Sequence, residues 1–284
     1  MIDVLGYSVN LEEGQALLSM YFIIFAVVTL IAYLKRRGDA LRWRPEMVKS
    51  ARVNWTFLVL NGALAPFVVW IVFAVDGAFK ASGIPTIPES FWAFAPGIVP
   101  AIIALIVADF VDYWSHRLRH TPLLWPIHAI HHSDTQMNYM TWYRAHILEQ
   151  VVIQAGYVLL ATLMGASPAA VGILVFLRAM HQHYVHTEVD IHHGPFSLVL
   201  ASPRFHRWHH ADDPAAYDKN LANIMPLWDR LFGTYYCPGK CDAPMGFPGN
   251  PGENVVQLLV FPFTEWGRMI RQKLDRKAPQ TPTV

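Results

Sequence analysis

"IVPAIIALIVADFVDYWSHRLRH", Ile98 to His120, begins as an apolar run and ends in histidine. On a helix, Asp109, Asp112, Tyr113, His116 and His120 fall on one face, because residues three and four apart stack. An acidic side chain inside an apolar span is costly and marks function. Asp112 stands one turn before His116 and is placed to accept that ring's second N–H, which fixes the tautomer. The stretch reads as a membrane helix carrying chemistry at its inner end.

The rest of the chain agrees with a membrane setting. Of 284 residues, 54% are hydrophobic and 15% charged, where a soluble domain carries about a quarter charged. Upstream, Leu17 to Leu34 is long enough to cross roughly 27 Å as a helix. Asp3, Glu12 and Glu13 precede it; Lys35, Arg36, Arg37, Arg42 and Arg44 follow. That order is the reverse of a secretory signal and puts the C-terminal end of the span in the cytoplasm. A second run, Trp55 to Val75, is interrupted by Asn61, Gly62 and Pro66, which predict a kink. "DGAFKASGIPTIPES" then reads as a polar loop and "FWAFAP" as an interfacial stretch. Downstream, Val151 to Met164 and Ala169 to Tyr184 form a helical hairpin around "GASP", and Val255 to Leu274 an amphipathic surface helix. Counting spans puts every histidine on the cytoplasmic side.

The expected fold is therefore all-α: an integral membrane bundle of about 4–5 helices with a cytosolic histidine-rich helical cap holding a dimetal site. Residues 1–97 supply N-terminal membrane helices and loops, 98–236 a catalytic region, and 237–284 a cytosolic or interfacial tail. The net charge of +1 leaves no basic stripe for nucleic acid. Cys237 and Cys241, the only cysteines, are too few for a disulfide framework or a strong zinc motif.

Fourteen histidines occur, mostly in bursts. His116 and His120 are four apart; His128 pairs with His131 and His132, and His206 with His209 and His210. Two imidazoles at such spacing can hold one metal. Eight histidines exceed what one tetrahedral ion uses, so two metals are the natural count.

"DFVDYWSHRLRH", "HAIHHSDTQMNYMTWYRAHILE", "YVHTE" and "SPRFHRWHHADD" with "NLANIMPLWDRLFGTYY" resemble the fatty acid hydroxylase and sterol desaturase superfamily, over about Ala108 to Tyr236. The resemblance implies a membrane oxygenase with a di-iron centre on the cytoplasmic face. Its ligand motifs fall on His116, His120, His128, His131, His132, His186, His206, His209 and His210. In "RAHILE", Arg144, His146 and Glu149 match the family, while Ile147 replaces a proline; these three join Asp109, Asp112 and Tyr113 as supporting residues. His183, His192 and His193 are further candidates, and His181 has no counterpart.

The implied reaction is hydroxylation, or desaturation, of a lipid C–H bond with O2, since a redox metal must carry such chemistry. Two iron ions are the expected cofactors, with zinc able to occupy the same imidazoles in a purified sample. No Gly-rich nucleotide fingerprint is present, so electrons come from an external ferredoxin- or cytochrome-type donor with its reductase. The membrane would be a bacterial inner membrane. Two rivals share the histidines: a di-zinc metallohydrolase and a metal transporter. Transport would put ionisable groups near mid-bilayer, whereas here they lie at span ends.

Overall fold

A helix of 37 residues, α1 (Pro45–Ala81), sets the scale of the molecule. The computed structural model describes residues 2–4, 7–9, 44–88, 90–91, 98–165 and 168–275. The apolar run 17–34 and most of "FWAFAP" lie outside the described residues. Pro45 opens α1 at the position where its missing N–H costs nothing, and Glu46 complements the N-terminal dipole. At about 55 Å, α1 outruns a bilayer core of about 30 Å. Among the described residues it is the one helix long and apolar enough to cross a membrane.

The structure lengthens the segment read as Trp55 to Val75. Helix α1 runs unbroken through Pro66, and it starts and ends well beyond Trp55 and Val75. Proline removes one ladder bond, while Asn61 turns its side-chain amide outward to the Ala145 carbonyl, 2.9 Å away. Six residues assigned to the following loop are helical; Asp76 is buried there and held by Lys80 and by Thr162.

The other helices are α2 (Ile98–Arg119), α3 (Trp125–His132), α4 (Ile147–Leu163), α5 (Pro168–Val185), α6 (Pro203–His209), α7 (Leu227–Leu231) and α8 (Val255–Asp275). A short antiparallel ladder, β1 (Ile2–Val4) with β2 (Tyr7–Val9), was not foreseen. Helix α4 is a shorter apolar helix lying along α1, and α8 covers α3. Val53, Phe57, Ile130 and Leu258 form the apolar joint between α1, α3 and α8. Trp55, Val59, Phe67 and Trp70 of α1 and Ile102 of α2 stay exposed. Cys241 is a free thiol packed against Met137 and Trp208.

Helix starts are written locally. Ser202 caps α6, with Pro203 at the first helical position. His146 caps α4 by accepting the Leu148 N–H, so Ile147 occupies the first turn, where proline is also tolerated.

The polar N-terminal part of α1 is clamped to the segment between Ser133 and Arg144. Ser50 and Asn54 donate to the two oxygens of Asp134, at 2.6 and 3.0 Å, and Thr141 adds a third bond. Arg144, wholly buried, reaches Asn54, Ser133 and Glu253. Burial pushes the Asp134 carboxyl up, but Arg144 and the three hydrogen bonds outweigh it and hold it below the usual range. Its stabilising contribution is full above the unfolded value, about 3.9, and is lost as pH falls through the lower folded value. Arg144→Ala should cost about 3–5 kcal/mol, since it strands a buried carboxylate; denaturant melts in detergent would measure this.

Candidate metal centre

The nine histidines meet as two adjoining sets. His116, His120, His128, His132 and His209 form one; His131, His186, His206 and His210 form the other. Within each set the ligand-capable atoms all lie within 4.8 Å of one another. His116 ends α2, His186 follows α5, and α3 and α6 supply the two HxxHH boxes.

Each box is split. His128 and His132 serve the first set while His131 serves the second; His206 and His210 serve the second while His209 crosses to the first. Of the pairs expected from spacing, His128 with His132 and His206 with His210 share a set, whereas His128 with His131 and His206 with His209 do not. Residues four apart advance only about 40° round a helix, whereas the third residue lies about 100° from the fourth. The rings of His132 and His210 stack at 4.3 Å where the sets touch.

Hydrogen bonds decide which ring atoms face inward. A carbonyl or carboxylate oxygen only accepts, so the bonded Nδ1 must carry the proton. His116 Nδ1 donates to Leu221 O at 2.7 Å, His128 Nδ1 to Glu149 Oε1 at 2.6 Å, and His209 Nδ1 to Lys219 O at 2.8 Å. His186 Nδ1 donates to Gln182 O at 2.7 Å in the second set. Yet Nε2 of His116 lies 3.0 Å from Nε2 of His128, and Nε2 of His186 lies 3.0 Å from Nε2 of both His131 and His206. For His116 and His128 this brings two bare lone pairs together. Nε2 of His120 and of His209 are buried with no hydrogen-bond partner.

A cation held among the ring nitrogens of the first set would resolve that conflict. Burial, reinforced by Arg119 and histidines at His128 and by histidines alone at His132, pushes both well below the ordinary imidazole value; burial does the same for His206, His209 and His210. Two nitrogens at right angles on an ion about 2.1 Å away would stand about 3.0 Å apart, the spacing seen. The donor set fits a metal, and neutral imidazole suits iron, zinc, copper and nickel.

Around the rings lies a second layer, partly missed in the sequence. The segment Asp218–Leu221 holds three histidines: Asp218 Oδ1 receives His120 Nδ1 at 3.1 Å, beside the Lys219 and Leu221 carbonyls. Asp218 and Asn220 adopt φ of 55° and 57°, a left-handed conformation that asparagine and aspartate tolerate. Asp229, within "PLWDRLFGT", accepts the Leu221 and Ala222 N–H groups, and Asp109 accepts those of Ile224 and Met225. Asp229 thus pins the end of this segment, and Asp109 the residues just after it. Tyr113 shares a hydrogen bond with Thr234, next to Asp229. Backbone acceptors leave no sequence signal, although the carboxylates that pin them do.

Three expected roles change. Asp112 does not meet His116; it pairs with Arg178 at 2.7 Å and with Asn223. The carboxylates that hold ligand-set rings are Glu149, on His128, and Asp218, on His120. The Arg144 and His146 side chains brace α1, α4 and α8, with His146 Nε2 donating to Leu259 O, while the Arg144 backbone carbonyl accepts from the His131 ring. His183 bonds Tyr139 O, His193 bonds Tyr184, and exposed His192 accepts from Gly194; none of these, nor His181, belongs to either set. Asp112→Asn should therefore lower stability by about 3 kcal/mol through the buried Arg178 while metal content stays normal. Metal loss at an unchanged melting point would restore a direct role on His116.

Residues 101–234 match the fatty acid hydroxylase family. The chain is 29% identical to ornithine lipid hydroxylase OlsE of Rhizobium tropici over 226 residues, 75% of this chain and 65% of that protein. It is 35% identical to alkylglycerol monooxygenase of Homo sapiens over 133 residues, 46% and 29% of the two chains. Methylsterol monooxygenase 1 of Gallus gallus is 31% identical over 132 residues, 45% and 43%. The chain covers less than two thirds of each relative's length. No solved structure matches significantly.

Proposed function

We propose, since residues 101–234 make this chain a member of the fatty acid hydroxylase superfamily, that it is a membrane oxygenase hydroxylating a lipid C–H bond with O2. One observation carries the reading: buried imidazoles gather in two adjoining sets, and in the first the Nε2 atoms of His116 and His128 meet with no proton to share. The names of the relatives, which specify an ornithine lipid, an alkylglycerol and a methylsterol, support a lipid substrate.

His116, His120, His128, His132 and His209 would hold one iron ion, and His131, His186, His206 and His210 the other. Bound there, the pair supplies redox chemistry: lipid, O2, two electrons and two protons become hydroxylated lipid and water. The chain's own work is positional. Leu221, Lys219, Gln182, Glu149 and Asp218 fix the ring tautomers before any metal arrives. Burial excludes water from the reacting region. The electrons come from an external ferredoxin- or cytochrome-type donor. Helices of the 1–97 and 98–236 regions anchor the enzyme in an inner membrane with the cap towards the cytoplasm, and the 237–284 tail lies at the interface.

The test uses the full chain reconstituted in vesicles with a reducing system and isotopically heavy O2. Product lipid should gain one heavy oxygen atom, and anaerobic samples should give none. A hydrolase would work without O2 and take its oxygen from water, and that result would overturn the reading. Loss of two hydrogens without oxygen gain would make the enzyme a desaturase at the same site.

A further inference from the structure

We propose that the lipid reaches the metal centre from the headgroup side, through a cavity beneath α8, so that the five-histidine set is the substrate-facing half. The inference rests on the oxygenase reading. The cavity holds about 520 Å³, within the range of small-molecule sites. His120, His132 and His209 line it, with Trp125, Phe247 and Met269 as apolar walls. No histidine of the second set borders it. Asp218, 72% exposed at its side chain, lies in the same lining and orients His120. The first set thus has an open side. A second groove, about 330 Å³ between α1 and α4, is lined by Val68, Phe73 and Gln154 but by no histidine.

Helix α8 says what lies outside the cavity. Its inner face is fixed by buried Leu258 and Pro262, and Trp266 Nε1 donates to Leu123 O at 2.8 Å. Val256, Val260, Phe263, Ile270 and Leu274 form an exposed stripe along its outer face, at steps of three, four and seven. Arg268, Arg271 and Lys273 are exposed on the same helix, and Arg268 pairs with Glu265 at the cavity rim. An apolar stripe accompanied by cations is the pattern of a helix lying in the headgroup layer of an anionic leaflet. A lipid beside α8 then has its headgroup near Glu265 and Arg268, and its chain can pass Met269 and Trp125 to the rings.

Vesicles of phosphatidylcholine and phosphatidylglycerol with a photoreactive diazirine on the acyl chain test the route. After irradiation of the metal-loaded protein, peptides carrying Trp125, Phe247 and Met269 should be labelled, as should Phe263 and Ile270. Met269→Trp, which fills the passage, should cut cavity labelling about tenfold while leaving Phe263 labelling and metal content unchanged. Unlabelled cavity residues beside labelled Val68 and Phe73 would overturn the route. Unlabelled Phe263 and Ile270 would mean that a second copy or another partner covers α8, and would overturn the headgroup-side entrance. Labelling needs no turnover: a labelled cavity without O2-dependent oxidation would sink the oxygenase reading and leave the portal standing.

Discussion

His206→Ala should reduce bound metal from two ions per chain to one and take lipid oxidation to background. His206 Nε2 stands between His186 Nε2 at 3.0 Å and His210 Nε2 at 3.2 Å, in a set of only four imidazoles. Removing it leaves three donors and a buried cavity one ring wide. The loss should exceed the roughly 10–100-fold typical of outer-layer changes, because a ligand itself is gone. His120→Ala is the informative contrast. That ring belongs to the five-membered set, and its Nδ1 partner is the exposed Asp218. It should keep both ions under saturating metal and lose activity only in part. His192→Ala, at an exposed ring outside both sets, should behave like the parent. Metal analysis of the folded fraction with an O2-dependent lipid assay reads all three. Two ions retained by His206→Ala would show that the four-histidine set is not a metal site.

How far the sequence reaches is visible in these residues. All nine clustered histidines could be named from spacing and resemblance, because imidazole pairs at helical periods are rare without a shared ligand. The long apolar helix and the two helices α4 and α5 were legible from hydropathy, and α8 from its amphipathic pattern. The partition of each HxxHH box was not, since it depends on how α3 and α6 rotate against each other. Nor was the extent of α1: Ser50 and Asn54 look like loop residues until Asp134, some eighty positions on, supplies their hydrogen bonds. Asp112 misled for a related reason. It sits one helical turn from His116, as proposed, but Arg178 of α5 offers it a full charge, while the His116 ring already has the Leu221 carbonyl. Local spacing says which groups can meet; competition from distant partners decides which do.

Glu149→Gln should cost roughly 10–100-fold in metal affinity at the first set, the usual scale for a carboxylate that orients a ligand imidazole. One oxygen of Glu149 receives both His128 Nδ1 at 2.6 Å and Arg119 Nη1 at 2.8 Å, and all three side chains are buried. The carboxylate thereby does two things. It holds the proton on Nδ1, leaving Nε2 bare, and it neutralises a guanidinium that would otherwise sit uncompensated beside the histidines. Glutamine keeps the length and can still accept one bond, but it loses the charge. Arg119 is then a lone buried cation, its second terminal nitrogen already without a partner, and it opposes any metal ion nearby. A purely structural ion pair would give a different result: a lower melting point with normal metal affinity in the molecules that remain folded. Arg119→Met separates the two roles, because it removes the cation while leaving the Glu149–His128 bond. That variant should lose stability yet hold metal at least as tightly as the parent, whereas Glu149→Gln should lose metal even where it folds. Chelator competition on the folded fraction, run beside thermal melts, measures both quantities. Equal metal affinity in the parent and Glu149→Gln would remove Glu149 from the positioning of His128.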